Sequence, residues 1–277
     1  MNPTVTKPTL ILGGTGKTGR RPAERLTARG LPVQIGSRWG TPPFDWENNT
    51  TWEPALDGVG AVYISYYPDL AVPGAAETVG AFANLAVECG VRRLVLLSGR
   101  GETEAQRAEE MLKGSGADWT ILRCAWFSQN FSEGFLVESL QEGEVALPVG
   151  SVGEPFVDAD DIAEAAFAVL TQQGDVGELY ELTGPRLLSF ADAVAEIGRA
   201  AGRDIRFIRI SHAEFTATTA EHELPAEFAW LLNELFTEVL DGRNESLTDG
   251  VQRVLGRAPK DFSAYATETA ATGIWRN

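Results

Sequence analysis

Residues Thr9 to Gly19 read Thr-Leu-Ile-Leu-Gly-Gly-Thr-Gly-Lys-Thr-Gly, so a short apolar run breaks into glycines at 13, 14, 16 and 19. A helical pattern opens at once with Arg20, Arg21, Ala23, Glu24, Arg25 and Leu26. Strand, tight glycine turn and helix together receive a dinucleotide pyrophosphate. Gly13 allows the sharp turn, Gly16 lets backbone approach phosphate, and Gly19 lets helix pack on strand. The helix N-terminus adds unpaired N–H groups and a partial positive charge. A second apolar segment, Leu31, Val33 and Ile35, ends at Gly36-Ser37-Arg38. That end lies about 20 residues past the glycines, where the ribose-reading residue belongs. An NAD-preferring site carries Asp or Glu there. Ser37 and Arg38 stand there instead. A guanidinium pairs with a 2′-phosphate that a carboxylate would repel, so the predicted cofactor is NADP(H); a surface arginine in a loop is the alternative reading. A P-loop is disfavoured, because Ile11 occupies the position of its first glycine.

The elements that must position these residues follow from periodicity. Apolar runs at Ala61–Ser65, Arg93–Ser98, Trp119–Leu122 and Leu179–Leu182 alternate with helical stretches over about Ala75–Cys89 and Glu102–Lys113. Phe44-Asp45-Trp46 reads as a further short strand. The nearly unbroken apolar run Leu94-Val95-Leu96-Leu97 suits a parallel strand covered on both faces. The alternation predicts a doubly wound α/β fold with a parallel sheet. After Arg123 the pattern changes. Trp126, Phe127, Phe131, Phe135 and Leu136 crowd a mainly helical segment, and helices dominate from Ser189 on, interrupted by a strand at Arg206–Ile210. The expected division is a dinucleotide-binding domain over 1–185, with 126–155 contributing to the substrate region, and a smaller, mainly helical substrate region over 186–277. Within the latter, Leu224–Leu240 carries Phe228, Trp230, Leu231, Leu235 and Phe236 at helical spacing, a stripe read first as core. Pockets in such folds lie at the carboxyl ends of strands. Ser65-Tyr66-Tyr67, Ser98-Gly99-Arg100 and Cys124-Ala125-Trp126 are therefore the expected lining of the nicotinamide site.

Bulk properties narrow the function. The chain has 277 residues and a net charge of −16, with no basic stripe, which disfavours nucleic-acid partners. No run approaches membrane-spanning length, and two isolated cysteines, Cys89 and Cys124, make no disulfide framework; a cytoplasmic protein is expected. His212 and His222 lie ten apart without partner cysteines, so no metal is expected. Exposed apolar stripes leave a homo-oligomer open.

In combination these motifs resemble the NmrA-like, atypical branch of the short-chain dehydrogenase/reductases. The matching pieces are Gly13 to Gly19, Gly36-Ser37-Arg38, Gly90-Val91-Arg92-Arg93 leading into Leu96-Leu97-Ser98, Asp118 to Arg123, Trp126 to Phe131, and Phe156 to Ala163. Phe44-Asp45-Trp46, Asn130 to Glu133, Thr183-Gly184-Pro185 and Gly256 to Pro259 are similar to the festuclavine/agroclavine dehydrogenase subgroup. The resemblance implies a Rossmann-type domain that binds NADP at Gly13, Thr15, Gly16, Lys17, Thr18, Gly19, Ser37 and Arg38. Asp45 and Trp46 would sit at the adenine, and Ser65, Tyr66 and Ser98 near the ribose and nicotinamide. Tyr67, Arg100, Trp126, Phe127 and Asn130 are the expected substrate contacts. Lys17 could equally be an exposed residue of the first helical turn, Arg123 an ion pair fixing its loop, and Asp160 and Asp161 helix caps. Cys124 stands where the family commonly has Pro, and reads as a buried, inert thiol.

The commoner reductases of this class use a Tyr with Lys four residues later to donate a proton. Here the tyrosines are 63, 66, 67, 180 and 265, the lysines 7, 17, 113 and 260, and no such pair exists. One reading is an NADPH-dependent enzyme delivering hydride to an imine or iminium, quinone or activated enone, with catalysis mainly by orientation and electrostatics. Ser98 and Tyr66 are then the candidate weak proton donors, and the aromatic residues would hold a flat or cationic small molecule. The alternative is a non-catalytic NADP(H)-binding redox sensor acting on a protein partner.

Overall fold

The computed structural model describes residues 7–172, 174–221 and 225–276; His222 and Leu224 lie outside the described residues. The strands are β1 (Thr9–Leu12), β2 (Val33–Gly36), β3 (Ala61–Ile64), β4 (Arg93–Gly99), β5 (Asp118–Cys124), β6 (Glu144–Leu147), β7 (Glu178–Leu182) and β8 (Arg206–Arg209). Six of them form one sheet in the order β2-β1-β3-β4-β5-β7, and every pairing in it is parallel. The helices are α1 (Arg20–Ala28), α2 (Trp52–Leu56), α3 (Ala75–Glu88), α4 (Thr103–Gly114), α5 (Leu136–Glu142), α6 (Ala159–Thr171), α7 (Phe190–Ala201), α8 (His212–Glu221), α9 (Ala226–Glu234), α10 (Gly250–Leu255) and α11 (Phe262–Ala271).

Both faces of the sheet are covered, which is why its strands read as continuous apolar runs. Val62, Ile64, Leu94 and Leu96 pack against α2, α3 and α4 on one face. Ile11, Tyr63, Val95 and Leu122 pack against α1, α6 and α10 on the other. The chain runs from β1 outward to β2 and returns to β3 on the far side of β1, so the strand order reverses between β1 and β3. A crevice opens at such a reversal beyond the carboxyl ends of the strands. Register brings those ends level, with Ile11 opposite Ile35 and Tyr63, and Ile64 opposite Leu96.

A third core lies beside the sheet. Phe131, Phe156, Phe190 and Phe262 interlock, with Phe156 and Phe190 ring centroids 5.1 Å apart. The two-stranded parallel ribbon β6-β8 borders this core. Trp275 is fully buried there and donates its indole N–H to the Phe131 carbonyl at 2.8 Å.

Three local expectations are corrected. Phe44-Asp45-Trp46 is not a strand: Asp45 makes one isolated antiparallel bridge to Asn48, and Phe44 is buried edge-on against Phe82. The run lies between Pro42-Pro43 and Asn48-Asn49 and fills a core gap instead of extending a ladder. The cap of α6 is Asp158, whose carboxylate accepts the Asp160 amide at 2.7 Å. Asp160 and Asp161 sit in the first turn, where they pair with Arg25 and Arg257. β6 was not anticipated, being four residues long with alternating burial.

Candidate functional site

The crevice is a cavity of about 750 Å³. One end is built by the turn after β1. Gly13 adopts a left-handed conformation (φ 65°), and its carbonyl accepts the Gly16 amide at 2.9 Å. Among the described residues, the amides of Lys17 and Thr18 find no protein acceptor, and they precede α1, so this turn offers free donors at a helix N-terminus. The Thr18 and Ser65 hydroxyls lie 3.1 Å apart and join the turn to the end of β3. Gly13, Thr15, Gly16, Lys17, Thr18, Ser37, Arg38, Asp45, Trp46, Ser65, Tyr66 and Ser98 all line the cavity. Gly19 does not; a Cβ there would stand 2.2 Å from the Gly13 carbonyl oxygen. Its expected ligand contact is thus replaced by a packing role: it lets α1 start against the turn. Arg38 is exposed at the rim, and no carboxylate among the described residues pairs with it.

Lys17 is not a surface residue. Its ammonium donates to Asn130 Oδ1 and stands 5.8 Å from the Phe127 ring centroid. Burial pulls its pKa down to about 8, and the nearby Glu133 carboxylate only partly offsets this. Glu133 itself binds Arg21 at 2.5 Å and Arg20 at 2.8 Å, which ties α1 to the Ser128–Phe131 turn.

The other end of the cavity is formed by the loops after β3, β4 and β5 and by one face of α9. Tyr66, Tyr67, Arg100, Trp126, Phe127 and Asn130 line it. The Tyr66 ring packs on Trp46 with centroids 4.9 Å apart, and burial raises its pKa. Phe228, Leu231, Leu232 and Leu235 supply the opposite wall. The stripe assigned to core therefore serves twice: Leu231 and Phe236 are buried, while Trp230 faces outward.

Two of the predicted residues are engaged elsewhere. Ser98 is 3% exposed and donates its hydroxyl to Glu109 Oε1 at 2.6 Å. Its proton is committed away from the cavity, because α4 brings Glu109 under the end of β4. Glu109 is in turn held by Arg123, which also reaches Glu181 at 2.9 Å. These two partners hold the Arg123 guanidinium firmly protonated, so Arg123 is the ion pair fixing its loop. Arg100 donates to the Asn244 and Ser246 carbonyls, both at 2.9 Å, and so anchors the loop before α10. Cys124 is buried, and burial pushes its thiol pKa well up, leaving it inert.

Sequence reasoning missed Asp69 and Glu102, which line the cavity and whose carboxyl groups are near enough to influence one another. Burial raises the pKa of both, Glu102 the more. Asp69 also accepts the Ala71 amide at 2.9 Å. Glu102 lies over Gly99, where a Cβ would fall 2.0 Å from its Oε1. The signal was available: each follows a strand whose terminal loop was already a candidate lining.

No family model matches the chain. It is 34% identical to an uncharacterised oxidoreductase, YesF, of Bacillus subtilis (strain 168), over 97% of this chain and 98% of that protein. It is 31% identical to the festuclavine dehydrogenase EasG of Aspergillus fumigatus, covering 95% of this chain and 97% of the relative. Among solved structures, an Escherichia coli NADPH-dependent quinone oxidoreductase complexed with NADPH superposes with a TM-score of 0.76 at 22% identity, over 94% of this chain and 99% of that one. With identity of this order along nearly the whole of both sequences, and a matching fold, the chain belongs to the NmrA-like family of NAD(P)H-dependent oxidoreductases that includes the festuclavine and agroclavine dehydrogenases.

Proposed function

We propose that the protein is an NADPH-dependent reductase of flat, electron-poor small molecules, with a preference for cationic electrophiles such as iminium ions over neutral quinones and enones. The observation that carries this reading is the polarity of the cavity along its length. At the glycine end, free amides, the Lys17 ammonium and the unpaired Arg38 guanidinium suit a pyrophosphate and a 2′-phosphate. At the far end, Asp69, Glu102 and Glu227 stand among Tyr66, Trp126 and Phe228. Of the cations beside them, Arg100 is consumed by backbone carbonyls and Glu181, and the Lys17 ammonium, which stands between the two ends, is held by Asn130. The charge left on the Asp69–Glu102 pair, beside Glu227 and the aromatic rings, favours a planar cation through Coulomb and cation–π attraction.

When bound, NADPH supplies a hydride. The residues of this chain would then bind and orient. Gly13 to Thr18 would hold the pyrophosphate, Ser37 and Arg38 the adenosine phosphate, and Asp45 and Trp46 the adenine. Tyr67, Trp126, Phe127 and the α9 face would exclude water and press the substrate flat. An iminium ion needs no proton for reduction, so orientation and electrostatics suffice for it. The regions over 126–155 and 186–277 act as the substrate wall in this reading.

The test is a titration with NADPH and NADH, followed by NADPH absorbance with cyclic iminium salts, quinones and enones. Turnover of the iminium salts with the highest kcat/KM is the expected result. Tight NADPH binding with no turnover anywhere would sink the proposal.

A further inference from the structure

Reduction of a neutral quinone or enone requires a proton as well as a hydride, and no Tyr–Lys pair exists to give one. Of the two candidate hydroxyls, Ser98 gives its proton to Glu109, and burial raises the pKa of Tyr66. Two neighbouring carboxyl groups buried together, as Asp69 and Glu102 are, do not readily both ionise, so the pair favours keeping one proton. Asp69 has the better anion stabilisation: it accepts the Ala71 amide and faces Lys17. Glu102 faces Asp69 and Glu109, two further acids, and the neighbouring Cys124 thiol is held protonated by burial. Its Oε2 is buried without any hydrogen-bond partner among the described residues.

Glu102 also borders a second cavity, of about 250 Å³, that Asp69 does not reach. That cavity is lined by Pro73, Gly74, Glu104, Arg107 and Trp230, and it lies on the outer side of the α4 N-terminus. Among the described residues, Glu102 and Val239 border both spaces, and Glu102 alone of the two can carry a proton. The carboxyl is seated on Gly99, the only residue type that leaves room for it there.

We propose that Glu102 is the proton donor for neutral substrates, that Asp69 is its positioning partner, and that the second cavity is its route to water. This rests on the reductase reading above. In the step, the conjugated carbonyl system of a quinone or polarised enone takes hydride at one end and the Glu102 proton at the oxygen where negative charge develops. The products are the dihydro compound, a hydroquinone or an enol that returns to the saturated ketone, with oxidised cofactor and a Glu102 carboxylate. That carboxylate recovers a proton from water through the second cavity. Net consumption is one NADPH and one proton per substrate.

Glu102→Gln removes the transferable proton, while Asp69 then carries the negative charge of the pair alone. The quinone-to-iminium ratio of kcat/KM should therefore fall by about 10²- to 10⁴-fold, the span of general acid catalysis. Glu102→Asp should recover part of that loss. Without cofactor or substrate, the infrared difference spectrum of wild type minus E102Q at the pH of the assay should contain a protonated carboxylic acid C=O band. NADPH affinity retained in E102Q establishes that the cavity is formed; if that variant does not fold, the E102D ratio and its infrared spectrum carry the test. Absence of the band, or an unchanged ratio in a folded variant that binds NADPH, overturns the inference while leaving the reductase reading in place. No turnover of any electrophile by the wild type overturns the reductase reading and the inference with it.

Discussion

At the scale of single residues, Arg38 and Glu102 mark the two ends of what sequence can reveal. Arg38 stands exposed at the cavity rim, unpaired among the described residues, so its charge is available to a phosphate. Arg38→Asp should weaken NADPH binding at least about tenfold, the loss of one charge-assisted forked contact, and leave NADH binding nearly unchanged. Equal losses for both, measured by fluorescence titration, would reduce Arg38 to a general electrostatic contributor. Arg38 was legible because its position is fixed by local geometry: a strand, a turn and a count from the glycines. Asp69 and Glu102 belong to different loops, and their meeting depends on β3 and β4 being neighbours. Ser98 failed as a candidate for a similar reason. The residue that captures its hydroxyl, Glu109, lies on the following helix, and nothing in the sequence says which way that helix turns its acids.

At the scale of elements, what the residues dictate locally can be separated from what packing decides. The helix α7 opens with a reciprocal cap: Ser189 accepts the Asp192 amide at 3.1 Å, and Asp192 accepts the Ser189 amide at 3.3 Å. Ser189→Ala should cost about 1 kcal/mol, read as a lower urea midpoint with cofactor affinity unaltered, since Ser189 lies outside the cavity lining. A coupled loss of NADPH binding would mean that α7 transmits order to the cavity. Gly19→Ala should do the opposite. Its Cβ would collide with the Gly13 carbonyl, so the turn must move and NADPH affinity should drop although Gly19 touches no ligand-facing surface. The long buried strands β4 and β5 and the helices α3 and α4 could be read from periodicity, because burial on both faces and amphipathic spacing are written along the chain. The ribbon β6-β8 could be read only in half. Each strand has four residues, and the pairing partner of β8 lies far back in the sequence. Phe44-Asp45-Trp46 failed in the other direction, since aromatic residues suit a strand and a core plug equally well.

At the scale of the whole molecule, the strip from Ala125 to Ser128 joins the sheet to the third core. The Ala125 amide donates to the Leu182 carbonyl, the Trp126 carbonyl accepts the Val157 amide, and the Ser128 amide donates to the Val157 carbonyl. Glu154 lies under this junction, 1% exposed. Its backbone pairs with Leu188 in both directions. Its Oε1 accepts the Trp126 amide at 3.0 Å, and its Oε2 has no partner among the described residues. Burial pushes its pKa up to about 7, against the opposing pull of that amide and of the Arg100 charge. In the unfolded chain the same group titrates near 4.5. Between these two values the folded state holds a proton that the unfolded state has released. Stability contributed by Glu154 is therefore full below the unfolded value, falls as pH rises through this window, and levels off above about 7. The loss is on the order of 1–3 kcal/mol. It adds to the self-repulsion of a chain whose formal charge is −16, so the two cores should be held together more firmly in mild acid than at neutral pH. Glu154→Gln keeps an oxygen for the Trp126 amide and carries no charge to bury. Urea midpoints taken from about pH 5 to 8 should slope downward in the wild type and distinctly less in E154Q, with the two proteins diverging in favour of the variant at the alkaline end. The Asp69–Glu102 pair contributes a slope of the same sign in both proteins and so cancels in the comparison. Parallel curves would mean that water reaches Glu154 and that the junction is not dry.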